Sequence, residues 1–258
     1  MATPNYVRSQ TMDRARAAEI DAGLRAHMTT VYGLMTGAMI ITALVAYVIG
    51  TDLNAMMDGQ GTTLIPEGVL SAMYGSPLRW LIILSPLAVV FGFGAMINRM
   101  SVATAQTVFW TFAGLMGLSI ASIFAIYTGI SIAQTFVATA AGFGAMSIYG
   151  YTTQKDLSGW GSFLIMGVVG LIVASLLNMF LFESGALQWA ISLIGVLIFA
   201  GLTAYDTQSI KNQYLQMRDA SSEAATIDKA ATMGALRLYL DFINMFMFLL
   251  QFMGMQQE

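Results

Sequence analysis

Cysteine is absent from this sequence of 258 residues, histidine occurs once, and only 10% of the residues are charged. The absence of cysteine excludes a disulfide framework, a thiolate metal site, an iron–sulfur cluster and a cysteine nucleophile. The lone histidine, His27, excludes every metal motif that needs two histidines. With 11 Lys/Arg against 14 Asp/Glu, the chain also lacks the clustered basic surplus of a nucleic-acid-binding protein. Nucleic acid is therefore excluded as the main partner.

Apolar residues make up 57% of the chain, and they occur in long uncharged runs. A bilayer core about 30 Å thick needs around 20 apolar residues per helix. Seven runs approach this length: Met28 to Gly50, Trp80 to Ile97, Ala105 to Tyr127, Ile130 to Gly150, Phe163 to Phe182, Leu187 to Tyr205 and Leu236 to Phe252. We predict an all-α membrane protein, a seven-transmembrane-helix bundle over residues 28–253, with an N-terminal tail (1–27) and a short C-terminal tail (254–258).

The last run is the most polar, and a bundle of six spans with a re-entrant seventh segment is the alternative. Basic residues indicate the orientation, because Lys and Arg are enriched in cytoplasmic loops. A cytoplasmic N-terminus places every basic residue except Arg79 on the cytoplasmic side. We therefore expect the N-terminal tail to be cytoplasmic, and no cleaved signal peptide to precede the first span.

Two acidic residues fall next to the predicted spans. Asp206 ends the sixth span, and Asp241 stands near the start of the seventh, so the antiparallel order puts both at a similar cytoplasmic depth. Two carboxylates close together cannot both ionise cheaply, so a shared proton would make the pair a pH sensor. When ionised, the pair would also offer hard oxygens to a divalent cation such as calcium, supported by the polar side chains of Asn244 and Tyr205.

Two arginines, Arg99 and Arg237, are predicted to lie at the same cytoplasmic depth as the two aspartates. A charge-assisted bond from Arg99, at the end of the second span, to either aspartate would close the inner mouth of the bundle as a gate latch. The alternative is that Arg99 is an ordinary positive anchor at a helix end. Arg237 precedes Asp241 by four residues on one helix face and would neutralise it in a purely structural pair.

The C-terminal third carries two specific motifs. Ala-Tyr-Asp-Thr-Gln-Ser-Ile at Ala204 to Ile210, followed by Ala-Leu-Arg-Leu-Tyr-Leu-Asp-Phe-Ile-Asn-Met-Phe at Ala235 to Phe246, resembles the Bax inhibitor-1 family of transmembrane proteins. The segments Tyr151 to Trp160 and His27 to Tyr32 are similar to its bacterial branch. The likeness covers nearly the whole chain from Arg25 onwards.

This resemblance implies a seven-helix fold with the C-terminal helix central, and a pH-sensitive calcium leak regulated by the Asp206 and Asp241 pair. It also implies a basic latch from the second helix, for which Arg99 is the candidate. The bacterial branch implies an inner-membrane protein that modulates the membrane-bound FtsH protease.

A passive calcium leak is the first functional hypothesis, because no glycine-rich phosphate loop offers an energy source. Calcium is then the transported ion, protons regulate it, and no permanently bound cofactor is expected. The alternative is a membrane module that binds an FtsH-like protease without ion transport. An intramembrane aspartyl protease is a third reading, but Asp241 follows Leu-Tyr-Leu and not the Gly-x-Gly of those enzymes, so we expect no enzyme.

Overall fold

The computed structural model of the chain describes residues 5–254, with side chains described for residues 20–254. These residues form helices joined by short connections. The helices are α1 (Asn5–Met57), α2 (Glu67–Tyr74), α3 (Leu78–Met96), α4 (Val102–Ile120), α5 (Ile123–Ile126), α6 (Gly129–Thr152), α7 (Ser158–Leu177), α8 (Gly185–Asp219) and α9 (Ala224–Met253). A 3₁₀ turn, Ile97–Arg99, follows α3, and a π turn, Asn178–Phe182, follows α7.

Seven of the described helices are long and apolar enough to cross a membrane: α1, α3, α4, α6, α7, α8 and α9. Their outward faces carry large exposed apolar side chains such as Phe91 and Phe180, as a lipid-facing surface requires. The predicted all-α bundle of seven spans is therefore confirmed. The predicted C-terminal tail, residues 254–258, lies outside the described residues beyond Gly254, as do residues 1–4 of the predicted N-terminal tail.

The sixth and seventh spans are longer than the sequence predicted. Asp206 does not end a helix, because α8 continues to Asp219, and α9 already begins at Ala224. The reason is packing. Ile210 and Tyr214, in the polar extension of α8, are 1% and 4% exposed, and Ile210 packs against Gly234 of α9. The end of the bundle where α8 and α9 join is called the hairpin end below, and the opposite end the far end.

The last helix is the most extensively buried of the spans. Sixty-one per cent of its most apolar stretch is buried, against 17–33% in the other six spans, and it packs against α1, α4, α6 and α8. Small residues allow the close approaches around it. An added Cβ at Gly150 on α6 would overlap the carbonyl of Ala204 on α8, so these two backbones touch directly beside Asp206.

A short segment covers the far end of the bundle between α1 and α3. Asp52, at the end of α1, accepts hydrogen bonds from the backbone of Thr63, Leu64 and Ile65 and from the Thr63 hydroxyl. Tyr74, at the end of α2, donates to the Leu118 carbonyl at 2.7 Å, and burial raises the pKa of Tyr74 to about 12. The covering segment is thus fixed to both α1 and α4.

Candidate functional site: a carboxylate pair in a membrane cavity

The two predicted aspartates meet inside the bundle. Asp206 of α8 and Asp241 of α9 lie within hydrogen-bonding reach of each other. Asp241 is only 4% exposed, Asp206 is half-buried, and the Oδ2 atom of Asp241 is buried without a hydrogen-bond partner. Carboxyl oxygens make such a contact when a proton lies between them. The arrangement is therefore chemically able to take up and release a proton.

The pair faces a cavity of about 680 Å³ that is lined by residues of α3, α4, α7, α8 and α9. Most of the cavity wall is apolar. Its ionisable groups are Asp206, Asp241 and Arg237, and Asn244 adds an amide. The carboxylates are the strongest cation ligands on an otherwise apolar wall. We call this space the carboxylate cavity.

Helical spacing accounts for the polar groups that α9 contributes. Arg237, Asp241 and Asn244 occur at intervals of four and three residues, which places them on one face of the helix. Asn244 donates through Nδ2 to the Leu240 carbonyl at 2.8 Å, which leaves its side-chain oxygen as an acceptor. α9 therefore presents a positive charge, a carboxyl group and an amide in sequence along the bundle axis.

Tyr239 sets the rotation of α9, a role that sequence reasoning missed. The side chain is fully buried, and its hydroxyl lies 2.7 Å from Thr42 Oγ1, which donates to the Ala113 carbonyl of α4 at 2.8 Å. The ring meets Phe112 edge-on at a centroid distance of 5.3 Å. The face that carries Asp241 is therefore turned away from α1 and towards the cavity. The only indication of this role in the sequence is that Tyr239 precedes Asp241 by two residues.

Arg237 lies where the carboxylate cavity meets a second, polar cavity. This second space, of about 340 Å³, is the vestibule, and it is lined by Ser158, Tyr205, Gln208, Ser209, Asn212, Gln213, Gln216 and Arg237. Arg237 lines both cavities and is close enough to act electrostatically on both carboxylates. A cation at this junction can attract the ionised pair.

Arg99 is not brought to the carboxylates. It ends the 3₁₀ turn after α3, is exposed, and lines neither the carboxylate cavity nor the vestibule. The neighbouring Asn98 carbonyl instead accepts a hydrogen bond from Lys229 of α9 at 3.4 Å. The latch role of Arg99 stays a prediction, and Arg237 is the arginine that lines the carboxylate cavity.

Tyr205, predicted as a supporting polar group, lines the vestibule. Its ring packs on Gly161 of α7, where an added Cβ would lie 2.6 Å from the ring. Tyr205 therefore shapes the approach to the pair from the hairpin end.

Few oxygen ligands surround the pair. The described residues contain no group of three or more His, Cys, Asp or Glu side chains that could hold a metal ion. Calcium takes 6–8 oxygen ligands in typical protein sites. Two carboxylates and the Asn244 oxygen fall short of that number, so the site suits transient contact with a hydrated cation better than permanent binding.

A stacked aromatic pair lines the carboxylate cavity between α8 and α9, on the far-end side of the carboxylates. Phe199 of α8 and Phe248 of α9 both line the cavity, and their rings stack with centroids 5.8 Å apart. Beyond them, Gln188 donates to Gln251 at 2.9 Å and Ser192 lies 3.4 Å from the same oxygen. The α8–α9 interface is thus polar at both ends and apolar between, and we call Phe199 and Phe248 the aromatic barrier.

Pro86 shapes the cavity wall contributed by α3. Proline cannot donate a backbone hydrogen bond, which frees the carbonyl of Ile82 one turn earlier. The Ser85 hydroxyl donates to that carbonyl at 2.9 Å. Side-chain rescue of this kind lets a proline remain inside a membrane helix.

Comparisons with known proteins agree on one family. The family model described as "Inhibitor of apoptosis-promoting Bax1" matches residues 24–258. The "Inner membrane protein YbhL" of Escherichia coli K12 is 43% identical over 236 residues, which cover 90% of this chain and 93% of that protein. A protein of Caulobacter vibrioides is 41% identical, over 98% of this chain and 97% of its own length. Protein RP147 of Rickettsia prowazekii is 40% identical, over 92% of this chain and 93% of its own length. The match to the family model includes both carboxylates.

Proposed function

The chain belongs to the Bax inhibitor-1 family of membrane proteins, and from this premise we propose that it is a pH-sensitive calcium leak gated by Asp206 and Asp241. The proposal includes residence in a bacterial inner membrane, as the name of the Escherichia coli relative suggests, with the N-terminus in the cytoplasm. Calcium is the transported ion and protons regulate its passage.

The observation that carries this proposal is the contact between the two carboxyl groups inside a membrane cavity. An acid within a membrane span is costly and by default functional. A pair in contact changes its total charge when it takes up or releases one proton. The charge that faces the cavity therefore depends on pH.

Arg237 supplies a physical link from that charge to the opening of the passage. While the pair is ionised, it attracts Arg237, which stays between the vestibule and the carboxylate cavity. Protonation weakens the attraction and lets the flexible arginine side chain leave the junction. We therefore expect the leak to increase as pH falls.

Transport in this proposal is passive. No glycine-rich phosphate-binding loop is present to couple flux to nucleotide hydrolysis. Conduction requires a binding site weak enough for the ion to leave, and the small set of oxygens around the pair fits that requirement. Calcium would then move down its own gradient.

A flux assay tests the proposal. The purified full chain is reconstituted in liposomes that contain a calcium dye, and flux is followed between pH 6 and pH 8 for wild type, Asp206→Asn and Asp241→Asn. Asp58→Asn, an exposed acid at the far end, is the matched control. We expect flux to rise towards pH 6 in wild type and in the control, and the pH response to be lost in either pair variant.

The same assay separates the alternatives. Flux no higher than in empty liposomes at every pH would overturn the leak and leave the membrane-protease partner, to be pursued by co-purification. Cleavage of a membrane substrate that Asp241→Asn abolishes would indicate an intramembrane protease instead.

A further inference from the structure

Another cavity, of about 590 Å³, lies between α1 and α6 at the hairpin end and is distinct from the carboxylate cavity. Arg25, Met28 and Tyr32 line it from α1, and Gly144, Ile148 and Tyr151 are among the residues that line it from α6. We call it the lateral groove.

The lateral groove runs along α1 and α6 and is bounded at its inner end by hydrogen-bonded hydroxyl groups. From Arg25 to Tyr32 the helix rises about 10 Å, at 1.5 Å per residue. At the inner end the Tyr32 hydroxyl hydrogen-bonds to Ser147, and the Ser147 hydroxyl lies 3.2 Å from that of Thr207 on α8. This chain of hydroxyls joins α1, α6 and α8 and separates the groove from the interior of the bundle.

The outer side of the groove faces the bilayer. Ile148, on its wall, is 67% exposed on a membrane-spanning helix. An added Cβ at Gly144 would meet nothing within 4 Å. A bilayer has no water at this depth to fill an apolar groove, so the space is one that a hydrocarbon chain would occupy.

The mouth of the groove carries positive charge. Arg25 stands just before the apolar run that begins at Met28, which places it at headgroup level, and it makes no ion pair or hydrogen bond with another described residue. Lys211 lies behind the mouth, where its Nζ donates to the Tyr151 carbonyl at 2.8 Å. No acidic side chain lines the groove. The mouth therefore complements a phosphate, and no acidic lining residue repels it.

We propose that the lateral groove binds one anionic phospholipid, whose phosphate pairs with Arg25 and whose acyl chain lies along Met28, Gly144 and Ile148. The lipid would bridge α1 and α6, which both pack against α8 and α9. This binding site is independent of calcium transport.

Lipid retention tests the proposal without any measurement of flux. The full chain is placed in nanodiscs of equal phosphatidylglycerol and phosphatidylcholine, released into mild detergent, and weighed by native mass spectrometry. We expect wild type to retain phosphatidylglycerol in preference to phosphatidylcholine. Arg25→Gln should lower this retention by about fivefold, the factor typical of one basic residue facing an anionic lipid. Arg99→Gln, an exposed arginine at the same end that lies outside the groove, should not.

A pair of glycine variants tests the apolar part of the groove. Gly144→Leu places a side chain in the groove, whereas Gly142→Leu adds the same side chain to the same helix outside it, and neither Cβ meets an atom within 4 Å. Only Gly144→Leu should reduce lipid retention, with unfolding temperatures close to wild type in both variants. Equal retention of the two lipids by wild type, or equal effects of the two glycine variants, would overturn the proposal. A mass of two chains that Gly144→Leu abolishes would assign the groove to a second copy instead.

Discussion

Phe199 and Phe248 stack across the α8–α9 interface with ring centroids 5.8 Å apart, between the carboxylate pair and the polar side chains of the far end. Phe248 also packs against Gly195, where an added Cβ would lie 2.6 Å from its ring. An ion that moves from the carboxylate cavity along the α8–α9 interface meets these rings before it reaches the polar side chains of the far end. Apolar constrictions of this kind control conduction by excluding water.

Phe248→Ala is expected to raise calcium flux several-fold at every pH between 6 and 8 while the pH response persists. The substitution removes half of the aromatic barrier but leaves Asp206 and Asp241 in place. Liposome flux measures the effect. Phe252→Ala is the matched control, since Phe252 lies one turn further along α9 and packs against Trp189. Equal flux in wild type and Phe248→Ala would show that ions do not cross the stacked rings.

Arg237→Gln is expected to raise flux at pH 8 towards the rate that wild type reaches at pH 6. Removing the cation abolishes its attraction to the ionised pair and clears the junction of the two cavities. Arg99→Gln is the matched variant, because Arg99 is an exposed arginine at the same end that lines neither cavity. A rise in Arg99→Gln without one in Arg237→Gln would return the latch role to Arg99.

The number of spans and the pairing of the acids could be predicted from the sequence, because both follow from the length of apolar runs and their antiparallel order. The positions at which the helices end could not be predicted in this way. A charge at Asp206 marked the predicted end of the sixth span, yet the buried side chains of Ile210 and Tyr214 carry α8 further. Hydropathy locates the part of a helix that lies in lipid and says nothing of a polar extension that packs on a neighbour.

Contacts between residues far apart in the sequence decide the rest of the site. Tyr239 and Thr42 are separated by 197 positions, and their hydrogen bond sets which face of α9 meets the cavity. Phe199 and Phe248 look like ordinary lipid-facing or core residues until α8 and α9 are aligned. Periodicity could not show that Arg237 lines the carboxylate cavity and Arg99 does not, since both stand at the same predicted depth and only packing separates them.

Asp52→Ala is expected to lower the unfolding temperature by several degrees and to open the segment between α1 and α2 to protease. The carboxylate accepts four hydrogen bonds, from Thr63, Leu64 and Ile65, at 2.7–3.0 Å. Without it, three backbone donors lose their partner. Thermal unfolding and limited proteolysis in detergent measure the two effects. Asp58→Ala is the control, because Asp58 is exposed and accepts one 3.3 Å bond from Asn54. Equal unfolding temperatures of Asp52→Ala and Asp58→Ala would show that the Asp52 hydrogen bonds do not hold the segment between α1 and α2 in place.

Asp156→Ala is expected to leave the pH response of flux between pH 6 and pH 8 unchanged. Hydrogen bonds from Ser158 hold the pKa of this loop carboxyl below its ordinary value of 3.8, so it is ionised throughout that range. A lowered pKa stabilises the folded state above pH 3.8, and that contribution disappears as pH falls through the lowered pKa. Thermal unfolding should therefore separate the variant from wild type at pH 7 and bring the two together at strongly acidic pH. A difference that persists there would show that the charge on Asp156 does not stabilise the fold.

His27→Gln is expected to retain the pH response, although histidine is the side chain that ordinarily titrates between pH 6 and pH 8. His27 is 6% exposed and lies 4.8 Å from the Tyr214 ring, against a separate cavity of about 290 Å³ that also includes Asp228. Neither the carboxylate cavity nor the vestibule includes it. Flux between pH 6 and pH 8 in His27→Gln, beside Asp241→Asn, separates the two candidate sensors. Loss of the response in the histidine variant alone would transfer the sensor to the α1–α8 contact and leave the carboxylate pair as part of the ion path only.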